Sequence, residues 1–359
     1  MRWKHDLSCV LTGICIVALL GLGVWAPVPV ASSAASPGLA AGAPPQPLAM
    51  LKVSTIQLVG EAGVYAALAN GYFEAEGLGV ELVPFRAGAD ITPPLATGEL
   101  AFASSPLDPS MFNAIQRGID LKIVGYNAIL GPQDRSGGWM VRQDLLDTGR
   151  FRDFADLRGM TVSLLSPGGI GQMWVERVLA RGGLTLDDVQ YVNLAFPDVP
   201  VGFANRAVDA AFLVEPFMTV AESQGVARSV LSSGEIYPGL VGMVLFMSPA
   251  TDPEVGRRFV TAYLRGQRDY YRAIQANEGG RERMIEILLQ YTPIREAALL
   301  EQMAVHLVEP NGEMDPRTLN ELQEYFLRFG SQQQRVDLNR VIDRSYTDYA
   351  LSRLGRLAP

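Results

Sequence analysis

Residues 52–85 read KVSTIQLVGEAGVYAALANGYFEAEGLGVELVPF, and this stretch decides the fold. Residues 52–58 are rich in β-branched side chains with partial alternation and read as a strand. Residues 60–63 form a loop and 64–70 a short apolar helix. Gly71 suits the position just past a helix end, where a left-handed backbone costs least without a Cβ. Residues 73–76 add a helical turn closed by Gly77, and 80–85 alternate again as a strand. Strand, helix and strand in that order predict a parallel pair with a right-handed crossover. Open α/β sheets bind ligands at the carboxyl ends of their strands. Residues 60–65 are therefore the first candidate ligand loop.

The same rhythm continues outward. Residues 88–90 read as a loop and 91–97 as a short helix, which Pro93 and Pro94 should confine to its first turn. A brief strand over 99–103, a loop over 104–108, a helix over 109–116 and an apolar strand over 121–128 extend the same α/β unit. The segment 131–138 (GPQDRSGG) is the expected crossing to a second unit. There, strands are expected at 139–142, 160–165, 190–194, 207–214, 227–231 and 241–247, with helices at 172–182 and 215–225 between them. From residue 249 the pattern is helical to the end. The expected organisation is a first lobe of 51–128 plus 249–359 and a second lobe of 129–248.

Ahead of the fold, Arg2 and Lys4 precede an uncharged, mostly apolar run over 7–26, followed by VPVASSAAS. This reads as an export signal over 1–34. The run is also long enough to serve as an uncleaved N-terminal anchor. Residues 35–50 are rich in Ala, Pro and Gly, carry no charge and read as a flexible linker. Both cysteines, Cys9 and Cys15, lie in the leader, so the exported part would contain no thiol for disulfide, nucleophile or metal. A net charge of −8 without a basic run argues against nucleic-acid binding.

Four segments together resemble one family. They are GVYAALANGYFEAEGLGVELVPF, LATGELAFASSP, GGLTLDDVQYVNL and AVDAAFLVEPFMTVAESQGVAR. In order and spacing they resemble the ABC-transporter substrate-binding proteins of the nitrate, sulfonate and taurine type, a group that includes binders of thiamine-pyrimidine precursors. The resemblance covers residues 51–250. It implies an α/β, two-lobed periplasmic-binding-protein-like fold of type II with a helical C-terminal segment. It also implies an exported protein, in the periplasm or at the outer face of the cytoplasmic membrane. Such a protein captures a small organic molecule by hinge closure and delivers it to an ABC permease, with no catalysis, cofactor or metal. An enzyme resembling pyrimidine-precursor synthases, or a ligand-sensing input protein, is the alternative on the same fold.

Candidate ligand contacts come from the loops at strand ends. Glu61 and Tyr65 follow the first strand, with core packing the alternative for Tyr65. Gly88 and Asp90, then Ser104 and Ser105, follow the next two strands, and caps are the alternative for the serines. Trp139 opens the second unit and is placed to stack on a planar solute or to pack in the core. Gly169, Gly171 and Gln172 lie in PGGIGQ, a turn that could present N–H groups or simply be tight. Asp198 is either an N-cap or a contact, and Glu215 is a strand-end carboxylate or a helix-dipole partner. Arg86 and Arg135 are the arginines expected nearest the cleft, and His306 reads as structural. Tyr65 and Trp139 favour an aromatic or heterocyclic solute over a small sulfonate or nitrate.

Overall fold

The computed structural model describes residues 48–129, 134–165, 167–303, 307–313 and 315–358. The leader reading over 1–34, most of the linker and His306 fall outside the described residues.

Two five-stranded sheets organise the chain. The strands are β1 (Ala49–Thr55), β2 (Leu78–Pro84), β3 (Phe102–Ser105), β4 (Lys122–Ile129), β5 (Gly137–Arg142), β6 (Thr161–Leu164), β7 (Gln190–Asn193), β8 (Ala210–Val214), β9 (Ala227–Ser232) and β10 (Val241–Met247). The first sheet has the order β2-β1-β3-β10-β4 and the second β7-β6-β8-β5-β9. β1 and β2 are parallel with Val53 opposite Leu82, as the opening stretch predicts. Between them, α1 (Ala62–Ala69) ends at Asn70, and Gly71 takes φ 70°, the left-handed stop expected there.

Three readings change. The fold begins two residues before Leu51, because Ala49 and Met50 already pair with Leu78 and Gly79. Residues 88–97 form one helix, α2 (Gly88–Thr97), with Pro93 and Pro94 inside it. The prolines remove two N–H donors, but Ile91 and Leu95 are fully buried, and that burial holds the helix past its first turn. Finally, β10, assigned by chain order to the second lobe, inserts antiparallel between β3 and β4 in the first sheet. Strand alternation alone cannot say which sheet a strand joins.

Helices packed on and between these sheets include α3 (Pro109–Gln116), α4 (Ile170–Arg181), α5 (Phe217–Ser223), α6 (Pro253–Tyr270), α7 (Arg281–Tyr291), α8 (Pro316–Phe329) and α9 (Ser345–Leu354). Asp108 and Asp252 cap α3 and α6 by accepting bonds from N–H groups of the first turn, each followed by a first-turn proline. α6 packs along α1, and its Phe259 ring lies 3.7 Å from that of Phe102 and 4.7 Å from that of Phe73. Phe102, Phe259, Tyr263 and Tyr270 are thus core residues of the first unit. Helix α8, in the C-terminal segment, touches both units. Phe326 packs near Phe112 of α3, and Ser331 just beyond α8 donates to the Gly168 carbonyl at 2.7 Å. Asn113 of α3 in turn donates to the Ser331 carbonyl at 2.8 Å.

Candidate ligand-binding site

A mostly apolar chamber of about 70 Å³ lies between residues contributed by the two units. Leu58, Gly60, Pro106 and Met243 line it from the first unit. Gly137, Leu165, Ile170, Gly171, Trp174, Phe196, Phe212 and Val214 line it from the second. The Trp174 and Phe212 rings stack 4.3 Å apart and 4° from parallel, giving the second unit a rigid aromatic wall. Both have local causes. Phe212 and Val214 are two residues apart on β8 and so share a face. Trp174 lies one turn into α4 beyond Gly171, and helical spacing brings the two to the same side. Gly171 permits the close approach, since a Cβ there would sit 2.8 Å from that of Leu165.

The polar end is formed by Ser136, Ser233 and Glu215. Ser136 Oγ and Ser233 Oγ each donate to Asp134 Oδ1 at 2.8 Å, and Asp134 is fully buried behind them. Glu215 follows β8. Its carboxylate accepts from the Thr219 N–H at 3.1 Å and the Thr219 hydroxyl at 2.9 Å, so α5 holds it in place. Glu215 also forms part of a neighbouring, more polar cavity with Arg135, Glu222, Glu235 and Gln302.

The sequence-derived candidates divide. Glu215 and Gly171 line the chamber. Gly169 is the N-cap of α4, and Gln172 turns back to accept from the Gly168 N–H and donate to Glu176, so both shape the turn behind the wall. Glu61 and Tyr65 are buried and form no part of the lining. Glu61 accepts from Thr55 at 2.9 Å, Tyr65 at 2.7 Å, and the N–H groups of Ile56 and Leu58 at 3.2 and 3.0 Å. It clasps the loop that delivers Leu58 and Gly60 to the chamber. Burial pushes the Glu61 carboxyl up to about 7 against the lowering effect of those four donors. Burial, with the nearby Glu61 charge, likewise holds the Tyr65 hydroxyl far above its usual range. The Tyr65 ring stacks on Tyr291 of α7 at 5.1 Å, the core role.

Trp139 is fully buried in β5 and is absent from the described lining, so Trp174 and Phe212 supply the aromatic wall instead. Ser104 and Ser105 end β3 rather than forming a loop, and Asn127 donates to the Ser104 hydroxyl. Ser105 donates to the Pro106 carbonyl at 2.9 Å, which leaves it one residue behind the lining. Gly88 and Asp90 lie in the first turn of α2, outside the lining. The Asp198 side chain caps no helix and instead pairs with Arg86 at 2.9 Å, a bridge between the two units in which both side chains are half-exposed or more. Such a pair contributes little. Arg86→Ala should change the unfolding free energy by under about 1 kcal/mol in urea melts.

Sequence reasoning missed Trp174, Phe212 and the serine pair. The signal was present in the two-residue spacing of Phe212 and Val214, just ahead of Glu215.

Comparisons with known proteins fit this geometry. Residues 60–273 match the family model described as NMT1/THI5 like. Proteins of Brucella abortus and Brucella suis, described by name only as binding proteins, are 26% identical over 196 residues, 53% of this chain. The match spans 57% of those relatives' own length. Among solved structures, the nitrate-binding protein NrtA of Synechocystis PCC 6803 superposes with a TM-score of 0.68 at 16% identity, covering 86% of this chain and 89% of that one. The alkanesulfonate-binding protein SsuA of Xanthomonas axonopodis, bound to MOPS, gives 0.64 at 19% identity, over 83% and 99%. The desulfurization enzyme DSZB gives 0.62 at 17%, over 85% and 99%. These likenesses establish a two-lobed, periplasmic-binding-protein-like fold.

Proposed function

The chain belongs to the NMT1/THI5-like family, and from that premise we propose that it is an extracytoplasmic solute-binding protein serving an ABC importer. The observation that carries this reading is the chamber itself, which takes its walls from both units. A solute seated there gains contacts from both units at once. It therefore stabilises the closed arrangement over any open one, and that difference is what a permease can sense. The lobes of this reading are 49–129 plus 241–359 and 134–240, with β10 returned to the first. The leader over 1–34 would place the protein outside the cytoplasmic membrane. Nearness to NrtA and SsuA supports transport.

The stacked Trp174 and Phe212 favour an aromatic or heterocyclic solute over nitrate or a small sulfonate. DSZB shows that this fold also carries an enzyme. Against catalysis here, no described lining residue is a cysteine or histidine, and Glu215 is already bonded to Thr219. Thermal-shift screening of the purified protein tests the proposal. Aromatic or heterocyclic compounds should raise the melting temperature. A rise with only nitrate or small alkanesulfonates would refute the aromatic preference. Phe212→Leu keeps an apolar wall but loses the stacked pair, and should weaken binding about three- to tenfold by calorimetry.

A further inference from the structure

The aromatic wall of the chamber has a support of its own. While Phe212 stacks on the Trp174 face, the Tyr237 ring meets Trp174 edge-on, 6.3 Å between centroids and 88° between planes. Arg177, three residues on from Trp174 in α4, lays its guanidinium 3.7 Å over the Tyr237 ring. The Tyr237 hydroxyl donates to Glu321 Oε2 on α8. Burial, then that carboxylate, push the hydroxyl up to about 12, so it stays a donor at neutral pH. Helix α8 is fastened to the first unit at both ends. Tyr126 of β4 donates at 3.1 Å to the carbonyl of Asp315, the N-cap of α8. Just beyond α8, Asn113 of α3 donates to the Ser331 carbonyl at 2.8 Å and accepts from the Gln333 N–H at 3.1 Å.

From that anchorage α8 reaches the second unit through Glu321 on Tyr237 and through Ser331 on the Gly168 carbonyl at 2.7 Å. Both contacts bear on α4, the helix that carries Trp174. Gly168 lies in the turn that starts α4, and a Cβ there would stand 2.9 Å from Phe329 and Ser331, so the approach is close. We infer that Tyr237 is a positioning residue that fixes Trp174 in the chamber wall and ties it, through Glu321, to the first unit. This rests on the hinge-closure reading of the chamber. Opening the units must part Tyr237 from Glu321, and the wall then loses its support as the chamber loses its opposite side. The tie is suited to repeated making and breaking. The bond is charge-assisted, yet Glu321 is exposed, so water replaces the hydroxyl when the bond parts.

Acrylamide quenching of tryptophan fluorescence in the full chain tests the tie without any solute. Matched proteins carrying Trp174→Phe subtract the other tryptophans. Tyr237→Phe keeps the edge contact and removes the hydroxyl, and Glu321→Ala removes the acceptor. Each should raise the Trp174 quenching constant about twofold or more, and the double variant should rise no further, since both cut one bond. Glu321→Gln, whose amide oxygen still accepts, should stay near wild type. Glu321 is exposed, so its variants serve if Tyr237→Phe does not fold. By calorimetry, Tyr237→Phe and Glu321→Ala should also weaken benzyl alcohol binding severalfold. Wild-type quenching in both single variants would overturn the inference, as would additive effects in the double variant. If wild-type protein binds no benzyl alcohol while the quenching changes appear, the tie stands and the chamber is not an aromatic solute site.

Discussion

Gly266→Ala is expected to destabilise the protein by about 3 kcal/mol or more, the upper end for overpacking a close contact. At this point α6 crosses α1 with backbone against backbone. A Cβ on Gly266 would lie 2.1 Å from the Gly63 carbonyl oxygen and 2.5 Å from the Ala67 nitrogen. Those atoms cannot rotate away as a side-chain end would, so the two helices must separate. Separation also strains the polar contacts that fasten α6 to β4. Tyr263 donates to the Tyr126 carbonyl at 2.6 Å, and Gln267 donates to the same carbonyl at 2.7 Å. Gly63→Ala is the milder partner, because the first atom met there, at 2.7 Å, is the Gln267 side-chain oxygen. Urea unfolding of both variants checks the pair. A Gly266→Ala midpoint close to wild type would mean that the helices do not approach this closely.

The second large effect is a pH dependence from Glu61. Its carboxyl is raised in the folded protein from 4.5 to about 7, because burial outweighs the donors around it. Below the unfolded value, the group is protonated in both states and its contribution to stability is full. As pH rises through the folded value, folding must take up a charge into a buried site, and the contribution is lost. Integrated over this shift, unfolding free energy falls by about 3 kcal/mol between about pH 4 and about pH 8. Glu61→Gln cannot ionise and should lack this component, so the wild-type curve minus the variant curve isolates it. A difference that is flat with pH, or rises, would contradict the buried clasp.

The opening βαβ unit is legible because its signals are local. Gly71 marks a left-handed stop, β-branched residues mark the flanking strands, and an apolar helix lies between. The segment AVDAAFLVEPF places Glu215 at a strand end and the glycine-rich turn PGGIGQ places Gly171 at a helix start, and both line the chamber. What stays hidden depends on distant partners. Nothing in VGMVLFM tells β10 to pair with β3 and β4 rather than with β5 and its neighbours. Pro93 and Pro94 argue locally for a short helix, and only the buried Ile91 and Leu95 explain the longer one. Trp139 and Trp174 are equally conspicuous in sequence. Which one is sealed in the core and which walls the chamber is decided by the packing of β5 and α4. Glu61 reads as a ligand contact from its loop position, but its burial converts that contact into a clasp.

The insertion of β10 has a consequence for how the molecule assembles. All five strands of the second sheet lie between residues 137 and 232, so that sheet is complete once the chain has been made to this point. The first sheet is not, although four of its strands come earlier. Until residues 241–247 arrive, β3 and β4 lack the strand that joins them, and each exposes an unpaired edge. The part of the chain synthesised first is thus finished last. It waits on contacts spanning more than a hundred residues, a long-range closure of the kind that slows folding and favours mispairing in the interval.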